Sequence, residues 1–287
     1  MVAVSQVPAG RARSARRNRM PITVRLATGW LFVAVVLAVF GRRLAPFDPG
    51  EQNPLLSVSP PSGAHWLGTD QLGSDVLSEV MAGAGTALLG PLCVALGTVL
   101  LGGALGLLAG YRGGLIDSLT NRFADLMYAL PGLLVIVVVI GVVGGGYWVA
   151  VAVLTVLTLP GEIRLCRSAT QVQARLPYVE AARTLGLPAA RIMRRHILPN
   201  IMPTVIATFL LDFVGALVSL SGLSYLGLGA PPGIPDWGAL LQTGQNLLTD
   251  NPMISLVPGA LIALTATSVT LLGDWLYDRY SVGGTRP

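Results

Sequence analysis

The chain contains no lysine; all nineteen of its basic residues are arginine. That absence removes whole classes of chemistry. A phosphate-binding loop of the form G-x-x-x-x-G-K-[ST] needs its lysine to reach the β- and γ-phosphates, so no such ATP site exists here. Schiff-base chemistry on lysine is excluded equally. Cysteine is also scarce: Cys93 and Cys166 are the two present, each in or beside an apolar stretch, with no C-x-x-C pairing. They read as small buried hydrophobes rather than as a redox pair. The two histidines, His65 and His196, belong to segments expected on opposite sides of a membrane, so they cannot jointly hold a metal. No H-E-x-x-H occurs. The serines around Ser224 do not form G-x-S-x-G. No catalytic constellation is present, and the chain is not expected to be an enzyme.

Charge is the other shortage. Only 11% of the 287 residues are charged while 53% are hydrophobic, and the mean hydropathy is +0.67. A soluble domain carries charge on about a quarter of its residues. The apolar residues are gathered in long blocks, and an apolar helix of about 20 residues crosses a hydrocarbon core of about 30 Å. Six segments are expected to do so: residues 22–40, 84–109, 126–143, a shorter one from Tyr147 to Pro160 continuing towards Leu165, 201–223 and 253–272. The first has an arginine-rich front like a signal peptide, but Gly41-Arg42-Arg43 follows where a small-x-small cleavage site would stand, so it reads as a retained anchor. The fold class is therefore all-α integral membrane. Gly90, Gly97, Gly102, Gly103, Gly106 and Gly110 crowd the second span, where small residues let helices approach closely.

The arginines orient these spans. With the N-terminus in the cytoplasm, the first tail together with Arg25 at the mouth of the span holds six, the loop between spans two and three two, the loop between spans four and five seven, and the C-terminus two. The external loops hold only Arg42 and Arg43. This is the positive-inside bias. It accounts for the net charge of +5 without nucleic acid, and it puts both termini in the cytoplasm.

The loop from Arg175 to Asn200 is the most informative segment. Pro177 suits the first turn of a helix, and Gly186 suits the position after its end, where φ turns positive. Pro188 then opens a second helix that is expected to end before Pro199. Arg183, Arg191, Arg194 and Arg195 stud this elbow. In the fifth span Asp212 falls near the middle, where a carboxylate must face a bundle interior or a wet cavity; it either lines a path or braces the packing. In the outer segment, Asp70 or Thr69 is expected to cap a helix beginning near Gln71. Asp70 and Asp75, with Glu79, otherwise offer carboxylates to an external partner.

Glu180-Ala181-Ala182, then Gly186, then His196-Ile197-Leu198-Pro199 resemble the E-A-A loop of permease subunits of type I ABC importers. His196 stands where the general pattern has isoleucine, as in the dipeptide and oligopeptide branch. The likeness extends to His65–Leu77, with Ser74 in place of arginine, to Gly110–Asp117, Ala129–Gly132, Leu220–Gly229, Pro235–Gly238 and Leu271–Asp274. Thr158–Arg164 is looser, with Glu162 where tyrosine is expected. Composition and charge give a disordered cytoplasmic arginine-rich tail over residues 1–21, a first transmembrane helix over 22–40, an external segment over 41–82 and a cytoplasmic tail over 278–287, and the resemblance implies a five-helix permease domain over 83–277. It implies that Glu180, Ala181, Ala182, Gly186, His196, Leu198 and Pro199 couple the chain to an ATPase. The implied partners are a homologous second permease subunit, two ATP-binding subunits carrying ATP and Mg, and an extracytoplasmic substrate-binding protein, in the plasma (inner) membrane. This chain itself would hold no cofactor and no metal. The implied function is inward transport of di- and oligopeptides. The alternatives are another small solute, such as a nickel chelate, on the same machinery, or an ion-coupled secondary transporter. The absence of a convincing internal repeat counts against the last of these.

Overall fold

Where lipid is the solvent, every backbone N–H and C=O must be satisfied within the chain, and long apolar runs have the helix as their solution. The structure, a computed structural model, describes residues 20–231 and 233–281. Apart from Met20 and Pro21, the expected tail over residues 1–21 lies outside the described residues, as does the C-terminal tail beyond Ser281. Among the described residues the regular structure is helical, with only isolated β-bridges pairing Thr69 with Ser59 and with Asp75.

Among the described residues, five helices are long and apolar enough to cross a membrane, and a bent pair makes six where its two halves count as one span. Helix α1 covers Ile22–Leu44, and α2 covers Val76–Arg112. The bent pair is α3, Gly114–Tyr128, and α4, Gly132–Val143. Helix α5 covers Tyr147–Ala174, followed by a short α6 over Pro177–Thr184 and α7 over Ala189–Ile192. Helix α8 covers Leu198–Tyr225, a short α9 covers Trp237–Gly244, and α10 covers Met253–Ser281.

The continuous third span expected over residues 126–143 is not what forms. The helix breaks at Ala129–Pro131, and its halves meet at 84°. Proline at 131 has no N–H to donate and disfavours helical geometry at Leu130. Helix α4 is only 12 residues long, about 18 Å at 1.5 Å per residue, too short to cross the core by itself. Span four is also longer than its apolar run. Helix α5 passes straight through Pro160 and continues to Ala174, because the packing of its flanks against α2 outweighs one missing hydrogen bond.

The α2–α5 contact is the spine of the bundle, and the glycines of α2 make it close. A Cβ on Gly106 would stand 2.7 Å from the Ile163 carbonyl oxygen and 2.8 Å from the Cys166 Cβ, and one on Gly110 would stand 2.6 Å from the Arg167 carbonyl oxygen. Such approaches raise dispersion attraction in a medium where burial from water offers no drive. At one end of the bundle lies the segment between α1 and α2, with α9; at the other lies the α6–α7 elbow. Val94, Ile136, Ile140, Tyr147, Val151, Leu154 and Leu220 form one core between these ends. A separate cluster of Val179, Ala182, Ile192, Ile197 and Ile201 packs the elbow against Leu107 and Tyr111 of α2 and Ala169 of α5.

The segment after α1 is tied down by polar groups. Asn251 is fully buried, and its Nδ2 donates to the Leu67 carbonyl at 2.9 Å and to that of Ser59 at 3.3 Å. The helix expected near Gln71 starts instead at Val76, and its cap is Asp75, which accepts from the Ser78 N–H at 2.9 Å. Asp70 holds the preceding turn, accepting from Leu72 N–H at 2.9 Å and Ser74 N–H at 2.8 Å. The reason is local: Gly73, with φ +73°, turns the chain and delays helical geometry.

Candidate functional site

Helix α6 starts where Pro177 pre-sets φ and needs no N–H partner. It stops at Gly186, whose φ of +74° permits a left-handed turn. The Gly186 N–H donates to the Arg183 carbonyl at 3.0 Å, and the Leu187 N–H donates to that of Ala182 at 3.2 Å. That pair of bonds is the Schellman arrangement, and the accompanying contact of Leu187 with the Ala182 cluster completes it.

Glutamate 180 and Ala181 are exposed, whereas Ala182 is buried. The two alanines do not share a face, since consecutive helical residues point about 100° apart. Val179 and Ala182, three residues apart, face the elbow's own core. Glu180, Ala181 and Leu185 face outward, and Leu185 is 80% exposed. Leu185 was missed in the sequence reading, although its i, i+4 relation to Ala181 carried the signal.

The second arm of the elbow does not end before Pro199. Helix α7 runs through a π-helical turn, Met193–Ile197, directly into α8, with Leu198 N–H donating to the Met193 carbonyl. Pro199 has no N–H, and in a regular helix its ring would press on the Arg195 carbonyl; widening the preceding turn relieves that clash. The Asn200 Nδ2 donates to the His196 carbonyl at 2.6 Å and to the Tyr178 hydroxyl at 3.3 Å, and that hydroxyl donates to Gln173 Oε1 at 2.7 Å. Tyr178 thus joins the end of α5, the start of α6 and the start of α8. Burial pushes its phenol pKa up, against the bond from Asn200. The Arg183 guanidinium stacks 4.8 Å over the Tyr111 ring, fastening α6 to α2. His196 and Leu198 are partly buried and hold the joint, while Pro199 is exposed. Arg191, Arg194 and Arg195 line a hollow of about 520 Å³ beside Pro188.

Asp212 sits in α8 as expected, but it is not alone. Glu162, on α5, lies within its electrostatic reach. Glu162 is 3% exposed, accepts from Cys166 Sγ at 2.9 Å, and adjoins Thr208 of α8. Glu162 Oε2 and Asp212 Oδ2 are both buried without a hydrogen-bond partner. Glu162 lies beyond the apolar run that ends at Pro160, and the longer α5 brings it into the bundle. Asp70 and Asp75 are buried and occupied by the turn and the helix cap, and Asp75 also meets His65 Nδ1 at 2.9 Å, so neither presents a free carboxylate outward.

Residues 102–282 match the sequence profile of a family described as "Binding-protein-dependent transport system inner membrane component". The chain belongs to that family. The permease is 34% identical over 258 residues to the glutathione transport system permease protein GsiD of Pectobacterium atrosepticum, covering 89% of this chain and 85% of that one. It is 32% identical to the probable D,D-dipeptide transport system permease protein DdpC of Escherichia coli K12, covering 90% and 86%. Its fold is similar to that of a solved chain described under the inward-facing conformations of the MetNI methionine ABC transporter, with a TM-score of 0.55 and 17% identity, covering 70% of this chain and 95% of that one. The permease is thus a multi-pass inner-membrane subunit of an ABC importer and works with other importer components.

Proposed function

We propose that this permease carries di- and oligopeptides inward, powered by ATP hydrolysis on separate subunits. It pairs with a homologous second permease, two ATP-binding subunits that hold ATP and Mg, and an extracytoplasmic substrate-binding protein. The elbow and both termini face the cytoplasm. This chain binds no nucleotide and hydrolyses none.

The observation that carries the reading is the packing of the elbow. An exposed helix face of Glu180, Ala181 and Leu185 belongs to a helix whose other face packs on Ile192, Ile197 and Ile201 at the head of α8, so force on that face moves a transmembrane helix. The absence of lysine supports an ATP site on other chains, and the arginine distribution supports the orientation. The peptide reading draws on the relatives named for glutathione and D,D-dipeptide transport.

The test is uptake of labelled trialanine by the assembled importer, together with substrate-stimulated ATP hydrolysis. Glu180→Arg and Gly186→Asp should each lower both at least 10-fold. Wild-type levels in both variants overturn the coupling reading. An importer that carries no di- or tripeptide in competition assays overturns the substrate reading alone.

A further inference from the structure

Helix α3 is bounded by two breaks. On one side Gly113 and Gly114 have φ of +65° and +63°, with nothing within 4 Å of where a Cβ would stand on either. On the other is the 84° bend into α4. A segment with a hinge at each end takes its position from whatever grips it between them. Beside its packing against α2, with Ala124 fully buried, two polar rungs do so, and both come from the elbow half of α5. The Arg167 guanidinium meets the Asp117 carboxylate in a two-pronged ion pair, Nε to Oδ1 and Nη2 to Oδ2, the second bond 2.8 Å long. Asn121 Nδ2 steadies the same carboxylate at 3.0 Å. At the far end of α3, Arg164 pairs with Asp125 and lies 4.7 Å over the Tyr128 ring.

The two rungs differ in kind. Asp125 and Arg164 are largely exposed, with side-chain accessibilities of 68% and 47%, whereas Asp117 and Arg167 are at 21% and 26%. An exposed pair contributes little and is screened by salt. A two-pronged, partly shielded pair fixes orientation as well as distance. Arg167 also stands two helical turns before Ala174, the last residue of α5 ahead of the elbow.

We propose that the Asp117–Arg167 pair is the positioning contact that makes the bent α3–α4 crossing follow the elbow: α5 and the elbow move as one body, and this pair carries α3 with them about the Gly113–Gly114 hinge. Asp117 and Arg167 act through α3 and touch no substrate. The proposal rests on the reading that the elbow receives force from an ATP-binding subunit.

The experiment uses the complete importer, purified with its partner permease and ATP-binding subunits, and with Cys93 and Cys166 of this chain replaced by alanine. Nitroxide pairs at positions 119 and 264, and at 190 and 264, report the distances of α3 and of the elbow from α10 by pulsed electron spin resonance, with and without ATP and vanadate. In the unaltered pair both distances should shift on trapping nucleotide. With Asp117→Asn or Arg167→Gln the elbow distance should still shift, while the α3 shift falls below one third of its original size. The exchange Asp117→Arg with Arg167→Asp should restore at least half of it, and Arg167→Lys, which cannot make the two-pronged contact, should be intermediate. An α3 shift unchanged by the single substitutions overturns the proposal while leaving the elbow reading intact. An elbow distance that does not respond to nucleotide in the unaltered complex overturns both.

Discussion

The hydroxyl of Tyr147 enters the backbone ladder of α2: it accepts from the Gly90 N–H at 3.0 Å and donates to the Thr86 carbonyl. The insertion falls one residue before Pro91, which has no N–H of its own to close the ladder. A side chain from the first residue of α5 thus bridges the Gly90 N–H and the Thr86 carbonyl, an i, i+4 pair of the helix against which α5 packs, and the absence of a Cβ on Gly90 leaves the space for it. Tyr147→Phe removes both of these bonds and leaves Gly90 N–H and Thr86 C=O only each other, so it should cost about 1 kcal/mol. A lower midpoint of thermal unfolding for the detergent-solubilised protein would register the loss, and an unchanged midpoint would refute it.

The glycines of the α2–α5 contact are predicted to be unequal to glycines elsewhere. Gly106→Ala sets a methyl against the Ile163 carbonyl and the Cys166 side chain, so it should lower the unfolding midpoint and the yield of folded permease. Gly29→Ala in α1 meets nothing within 4 Å and should be neutral or slightly stabilising, since alanine exceeds glycine in helix propensity by about 1 kcal/mol. Equal behaviour of the two variants would refute a close-packed spine.

Asn251 supplies the donor that holds the segment between α1 and α2. Asn251→Leu fills similar space and offers no N–H, so the Leu67 carbonyl loses its partner and the Ser59 carbonyl keeps only the Thr69 N–H. Limited proteolysis should then cut within residues 50–65 at least several-fold faster, with no matching change at the elbow. Identical digestion patterns would count against the tie.

On α6 the outward and inward residues should separate cleanly. Leu185→Asp alters an exposed position, so the protein should fold at its normal yield while substrate-stimulated ATP hydrolysis by the complex falls at least 5-fold. Ala182→Asp buries an unpaired carboxylate among Val179, Ile192 and Ile197 and should reduce the yield itself. If both variants lose yield alike, the outward face is not free for a partner.

Asp212→Leu should impair transport by the assembled importer, because it leaves Glu162 without the group that shares its surroundings. Uptake of labelled trialanine at the original rate would remove Asp212 from the working parts of the permease.

Much was legible before any coordinates. The apolar blocks announced membrane helices, since no other structure satisfies the backbone in lipid, and the spacing of Glu180, Gly186 and Pro199 announced the elbow. The φ of Gly186 follows from its neighbours alone. Less legible was anything set by competition between a local signal and a distant contact. Pro131 broke a helix and Pro160 did not, though both interrupt apolar runs; the difference is that Pro160 lies in a helix packed along its length on α2. Pro199 looked like a stop and became a widened turn.

Composition and local spacing by themselves determined that this chain lives in a membrane, which blocks of it are apolar, and where its exposed elbow turns, because those outcomes depend on hydrophobicity and backbone geometry within a few residues. Tertiary structure alone decided that Ala182 faces in and Ala181 out, that Glu162 lies within electrostatic reach of Asp212, and that Arg167 grips Asp117 across fifty positions of chain. Such pairings depend on how whole helices lie against one another, and helix faces carry no mark of which neighbour they will meet.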